Sequence, residues 1–225
     1  MRSRWGDRNW YNRSMRFSGS PSWRLSIGDD FMLSAALWIR DAAGIVVDVE
    51  ARDVPPPLLV PPPASDVLAD EDVVAVGRDW LTWWRTLLVE KIDEHRNPPP
   101  QGVGEDWRRW TTANLDRRRA AGAPDDDFAA LAHAPGLRLA CTELFRQANR
   151  ARTRPRLETT PWEVYKRLVD DVAAAHDVDP NTLDGTVVAV PTGAGWWRVV
   201  SPGLVLASED ALAEDVVRAA LESGL

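Results

Sequence analysis

Chemistry in this chain would have to begin at its cysteine, its histidines or its clustered carboxylates, and each can be weighed by the residues around it. Cys141 is the only cysteine. As a nucleophile it would need His133 or His176 beside it, yet it shares a helical face with Leu137, Leu144 and Phe145. That placement reads as a small buried hydrophobe. His95, His133 and His176 lack the spacing of metal ligands. Asp125-Asp126-Asp127 reads as a solvated acidic turn between helices. Asp177-Val178-Asp179-Pro180-Asn181 begins like a calcium loop, but Thr182 stands where glycine is needed and Val188 where a bidentate glutamate is needed, so it reads as a helix-ending turn. Gly193-Ala194-Gly195 supplies half of a dinucleotide fingerprint and precedes a strand pattern instead of a helix. No lysine-bearing phosphate loop, serine elbow or paired-histidine zinc motif occurs. The sequence therefore implies no cofactor and no metal, and it names no catalytic residue.

Two features remain as binding candidates. Arg146, Arg150, Arg152, Arg154 and Arg156 follow one another closely, and with Arg117, Arg118 and Arg119 they could face phosphate or an acidic protein. The plainer reading is a solvated face that pairs with the chain's own carboxylates. The second candidate is Trp196-Trp197-Arg198, drawn from an unusual stock of twelve Trp beside four Phe and two Tyr. Adjacent residues of a strand point to opposite faces, so only one of the two indoles can enter a given core. The other has to be covered by another element, a ligand or a partner.

The elements that must hold these residues follow from periodicity. Trp23, Leu25 and Ile27 alternate with polar neighbours, as do Phe31, Leu33, Ala35, Leu37 and Ile39, and then Ile45, Val47, Val49 and Ala51. The last two runs predict an antiparallel hairpin closed by Asp41-Ala42-Ala43-Gly44, with Asp48, Glu50 and Arg52 on a wet face. The proline run Val54–Pro63 predicts a stiff polyproline connector. Helices follow. One opens at Asp70-Glu71-Asp72 and buries Val76, Trp80, Trp84 and Leu88 on a broad face, ending at His95 and Arg96. A half-buried helix is expected over about Glu105 to Ala120, a short one through Phe128 and Leu131, and a third major helix carries Leu137, Ala140, Cys141, Leu144 and Ala148. Thr160-Pro161-Trp162-Glu163 is a capping box with proline at the first helical position. The tail, Gly185 to Leu225, predicts a meander of three strands at Thr186–Val190, Trp196–Val200 and Leu204–Ala207, closed by a helix that Ser208 caps.

The expected fold class is therefore α+β: an N-terminal antiparallel hairpin, a helical middle and a C-terminal three-strand meander with a closing helix. Residues 1–22 read as a flexible basic arm with Met15 as an alternative start, and residues 23–225 as one domain with an internal division at the proline-rich connector 54–64. At 225 residues the chain buries a core without disulfides. It has no apolar run of about 18 residues and no export signal, which predicts a soluble cytoplasmic protein without a membrane partner. The net charge of −7 weighs against nonspecific binding to nucleic acid, although Met1–Arg24 and Arg138–Arg156 each carry six Arg against one acidic residue. The functional expectation is a non-enzymatic binding or accessory protein that recognises another protein through Trp196, Trp197, Arg198 and the Arg146, Arg150, Arg152, Arg154 group. An enzyme whose site converges only in three dimensions, and a nucleic-acid binder using the Arg islands, are the alternatives; oligomeric state is left open.

Overall fold

The computed structural model describes residues 23–47, 52–100, 104–151, 162–193 and 195–225. The arm 1–22, residues 48–51 of the expected hairpin with Asp48 and Glu50, the run of Arg152, Arg154 and Arg156, and Thr160 and Pro161 of the capping box lie outside them. Strand β1 (Arg24–Asp29) leads directly into helix α1 (Phe31–Ala42), and the long helix α2 (Val73–Arg96) follows the proline-rich run. Helices α3 (Glu105–Ala120), α4 (Pro135–Ala151) and α5 (Trp162–His176) precede β2 (Asp184–Val190), β3 (Trp197–Ser201), β4 (Leu204–Ser208) and α6 (Glu214–Glu222). The fold is α+β, with one four-stranded mixed sheet in the order β1-β2-β4-β3. Among the described residues no helix is long and apolar enough to cross a membrane.

The expected N-terminal hairpin is replaced by α1. Phe31 to Trp38 is apolar at nearly every position and contains no β-branched residue, so it meets the two-residue and the 3.6-residue period equally well. Two local devices decide for the helix. Asp30 Oδ1 accepts the backbone N–H groups of Met32 at 2.9 Å and Leu33 at 3.0 Å, an N-terminal cap. At the other end Gly44 adopts φ +63°, and the Ile45 N–H reaches back to the Arg40 carbonyl at 2.9 Å. This is a Schellman closure, so the glycine ends a helix instead of turning a hairpin. Ala36, Leu37 and Ile39 are fully buried in consequence.

The tail contains its three strands and its helix, but not as a meander. β2 pairs in parallel with β1 and with β4, while β3 pairs only with β4, antiparallel. Burial explains the order. Val187–Val190 and Leu204–Ala207 are continuous apolar runs that need cover on both faces. In a meander β3 would sit between them, placing exposed Arg198 and Trp197 at the centre. Helices supply the cover: Val188, Val190, Leu204 and Leu206 pack with α1, α2 and α4, whereas Val187, Val205 and Ala207 pack with α5 and α6. Ser208 does not cap α6, because a short 3₁₀ turn over Glu209–Ala211 intervenes and Ala213 occupies the cap position.

Helix α2 follows its sequence pattern, with Asp72 capping and His95 and Arg96 in the last turn. Trp80, Trp83 and Trp84 are core residues. The proline-rich run is held against α1: Arg40 donates to the carbonyls of Pro55 at 2.8 Å and Pro56 at 3.0 Å, and Asp41 Oδ2 accepts the Leu58 N–H at 2.7 Å. Because β2 and β4 belong to both apolar clusters, a fragment ending at Asp184 should aggregate or lose its cooperative melt. Thermal unfolding followed by circular dichroism checks this, and a soluble fragment with a cooperative transition would contradict it.

Candidate functional site

β3 ends one side of the sheet, and its phase is set by the loop before it. Gly195 has φ +59° and donates its N–H to Asp210 Oδ2 at 3.3 Å. The Ser208 hydroxyl holds the same carboxylate at 2.5 Å, and the Ser208 N–H bonds the Trp196 carbonyl at 2.8 Å. Trp196 and Ser208 thus form a hydrogen-bonded pair of the ladder, and Trp197 opposite Ala207 and Val199 opposite Val205 form the alternate kind. Two consequences follow. The indole of Trp196 and the side chain of Val200 pack toward α2, whereas Trp197 and Val199 lie on the α5–α6 face with 40% and 45% of their surface exposed. The backbone N–H and C=O groups of Trp197 and Val199 also point away from β4, toward the open edge.

A cleft of about 360 Å³ runs between this edge and α2. Leu88, Val89 and Ile92 form its helical wall, Val199 and Val200 its strand wall, and Arg52, Arg85 and Arg198 its polar rim. Arg85 is matched to Asp53, with Nε 2.9 Å from Oδ2 and Nη2 3.2 Å from Oδ1. That hydrogen bond holds the Asp53 carboxyl below its ordinary range, against a smaller effect of burial. Arg52 and Arg198 make no ion pair among the described residues. Among the described residues the arrangement offers an apolar slot, a strand edge without a partner strand and two Arg without an ion pair, which is chemistry for holding an extended chain.

The remaining candidate residues do not join it. Arg146 and Arg150 are exposed on α4 and do not line the cleft, and Arg152 and Arg154 fall outside the described residues. On α3, Arg119 pairs with Asp116 at 3.6 Å, while Arg117 buries Nε and Nη2 without a hydrogen-bond partner among the described residues. Among the described residues, no Arg of α3 or α4 lines the cleft. Cys141 is fully buried, and burial pushes its thiol up. His95 lies 3.0 Å from Thr186 Oγ1 and is held below its usual range, first by burial and then by Arg24, with Asp184 opposing. No group of His, Cys, Asp and Glu among the described residues is arranged to hold a metal ion.

A buried ion cluster went unread in the sequence. Lys91 Nζ lies 3.1 Å from Asp30 Oδ2 and 2.7 Å from Glu94 Oε2. Although burial works against both charges, Lys91 is held above its usual range by Asp30 and Glu94, and Asp30 below its own by Lys91 and the Leu33 N–H. Glu90 is pushed up to about 7 by burial, with Asp30 and Glu94 adding repulsion. The sequence did hold a signal: Lys91 continues the helical stripe of Trp84 and Leu88, where a charge demands a buried partner. At the carboxyl ends of the parallel strands, burial and then Asp29 and Asp210 push Glu209 up as well.

Comparison with protein-family models, with curated proteins and with solved structures finds nothing that matches this chain.

Truncating the two indoles should separate them. Trp196→Ala should cost roughly 3 kcal/mol, as an indole packed on the core does, and Trp197→Ala under about 1 kcal/mol, both read from urea melts. Glu90 generates a pH prediction. With its native value near 7 and its ordinary value at 4.5, the native state holds the proton more tightly, so this residue's contribution to stability declines as pH rises through that window. Glu90→Gln should therefore gain relative to the parent between pH 5 and pH 8, and equal midpoint shifts at the two pH values would refute the assignment.

Proposed function

We propose that this chain is a cytoplasmic binding or accessory protein, without catalysis of its own, that recognises another protein through the aromatic and Arg-containing surface of β3. The observation that carries the reading is a large indole, Trp197, left 40% exposed on an edge strand beside exposed Val199 and Arg198. Exposed tryptophan beside arginine is the composition of energetic hot spots in protein interfaces. Trp196 packs the strand against α2, Trp197 and Val199 present the outward face, and Arg198 stands on the α2 side at the cleft rim. The charge of the cleft rim, three Arg against one Asp, contrasts with a chain of net charge −7 and favours an acidic partner surface.

A catalytic reading draws on one observation, Glu90 poised near neutrality beside a buried lysine. Its neighbours are satisfied by one another, however, and none of the cluster lines the cleft. Nucleic-acid binding draws on Arg146 and Arg150, which stand apart from the aromatic edge.

Replacing Trp197 with the photo-crosslinker p-benzoylphenylalanine tests the binding reading. Illumination in lysate should give discrete protein adducts that excess unlabelled parent chain suppresses, while the same group at Leu139, 42% exposed on α4, should give none. Adducts at both positions alike, or none at 197, would count against the proposal. Loss of adducts on nuclease treatment would move the reading to nucleic acid.

A further inference from the structure

We infer that β3 takes up an extended, acidic segment of the partner protein as a fifth strand of the sheet, laid in the cleft beside α2; the inference rests on the binding role proposed above and names its mode and ligand class. The first argument is the backbone. Trp197 and Val199 direct their N–H and C=O groups away from β4, and a strand added there would sit at about 4.8 Å, within reach of all four. The second is the wall opposite. Leu88, Val89 and Ile92 line the far side of the slot, and Val89 is 57% exposed, so alternate side chains of an incoming strand would meet apolar surface on α2 while the others lie beside Trp197. Third, the register irregularity between Val199 and Ser201 limits regular pairing to the first part of β3. A short recognition segment fits that length, and a long sheet-to-sheet contact does not.

Charge selects the occupant. Arg85 is neutralised by Asp53, whereas Arg52 and Arg198 bring positive charge to the rim that no carboxylate among the described residues pairs. Arg198, opposite Leu206, stands on the α2 face. The glutamates of an added strand therefore lie on that face, with their methylene stems over Leu88 and Val89 and their carboxylates at the two guanidinium groups, while its valines lie beside Trp197 and Val199. Carboxylates so placed would answer both. A second copy of this chain would not, because antiparallel self-pairing of Trp197 with Val199 sets Arg198 directly against its own counterpart, and like charges in that position repel. The net charge of −7 on each copy adds to the repulsion.

The probes are capped peptides of about eight residues alternating valine with glutamate, a lysine counterpart, and a glutamate peptide with alternate amides N-methylated. Titrated into the full chain and followed by ¹⁵N NMR and amide exchange, the glutamate peptide should shift resonances of β3 and of Leu88 to Ile92. It should also slow exchange of the Trp197 and Val199 amides at least about tenfold, as new ladder bonds require. The lysine and N-methylated peptides should bind at least about tenfold more weakly. Reversing both rim charges, Arg52→Glu with Arg198→Glu, should exchange the preference for the glutamate peptide with that for the lysine peptide. Val199→Pro removes one outward N–H, a change an edge strand tolerates, and should abolish binding while the chain still melts cooperatively. Should that variant fail to fold, the N-methylated peptide carries the same test. Saturable adducts at position 197 together with no peptide binding would overturn strand addition and leave the binding surface standing; absence of both would remove the two together. Concentration-dependent dimers in sedimentation, abolished by Val199→Pro, would overturn the inference in favour of a second copy.

Discussion

The structure depends on three indole N–H groups. A buried indole must satisfy its single donor, and Trp80, Trp83 and Trp84 on α2 do so on three different segments: the Ala36 carbonyl of α1 at 3.0 Å, the Ala121 carbonyl after α3 at 3.0 Å, and the Asp53 carbonyl before the proline run at 2.9 Å. Each bond therefore fixes one segment relative to α2: the middle of α1, the end of α3 and the irregular backbone before the prolines. The rings add apolar area, and Trp80 stacks on Trp84 with centroids 5.5 Å apart. Arg40 lies over the Trp80 ring at 5.6 Å while bonding two proline carbonyls, so the same group of residues holds the proline run in place. Asp53, pinned by Trp84, is in turn where Arg85 finds its carboxylate, which places one wall of the cleft beside β3.

The sheet imposes a second constraint, and it bears directly on the site. A chain with two strands that are apolar on both faces and one that carries Arg198 has few acceptable orders. Apolar β2 and β4 take interior positions, and β3 goes to the edge. The edge would be a liability were it long and flat, since unpaired backbone groups template association. Here it is five residues long, bulged and charged. Those are the features by which an edge is kept from pairing indiscriminately while remaining open to one complementary strand.

How far the sequence revealed this follows from which constraints are local. Helix α2 was legible because its cap, its apolar period and its basic last turn agree within one segment. The strands of the tail were legible for the same reason, through β-branched runs broken by Gly and Pro. Helix α1 was not, because a run apolar at almost every position carries no period; the deciding residue, Asp30, looked like an ordinary polar neighbour until its carboxylate met the N–H groups of Met32 and Leu33. The strand order was hidden too, since it arises from burial on both faces of segments far apart in sequence. That one of Trp196 and Trp197 must face outward followed from strand geometry alone. Which one it is depends on Gly195 and on the bond from Ser208, neither of which the sequence announces.

The ion cluster at Asp30 shows how closely fold and charge are joined. One oxygen of Asp30 caps α1 and the other meets Lys91, so the residue that starts the first helix also neutralises a cation buried on the second. Removing either partner would strand a charge in the interior, a larger penalty than the pair's own net contribution, and an apolar pair in their place would also remove the cap of α1 and the partner of Glu94. The cluster thus fixes the position of α1 against α2 more than it adds stability. Glu90 does not share in this neutralisation: Lys91 lies nearby, but burial and the charges of Asp30 and Glu94 outweigh its attraction and favour the protonated carboxyl. With its value near 7, partial protonation of Glu90 lowers the negative charge gathered around the single lysine.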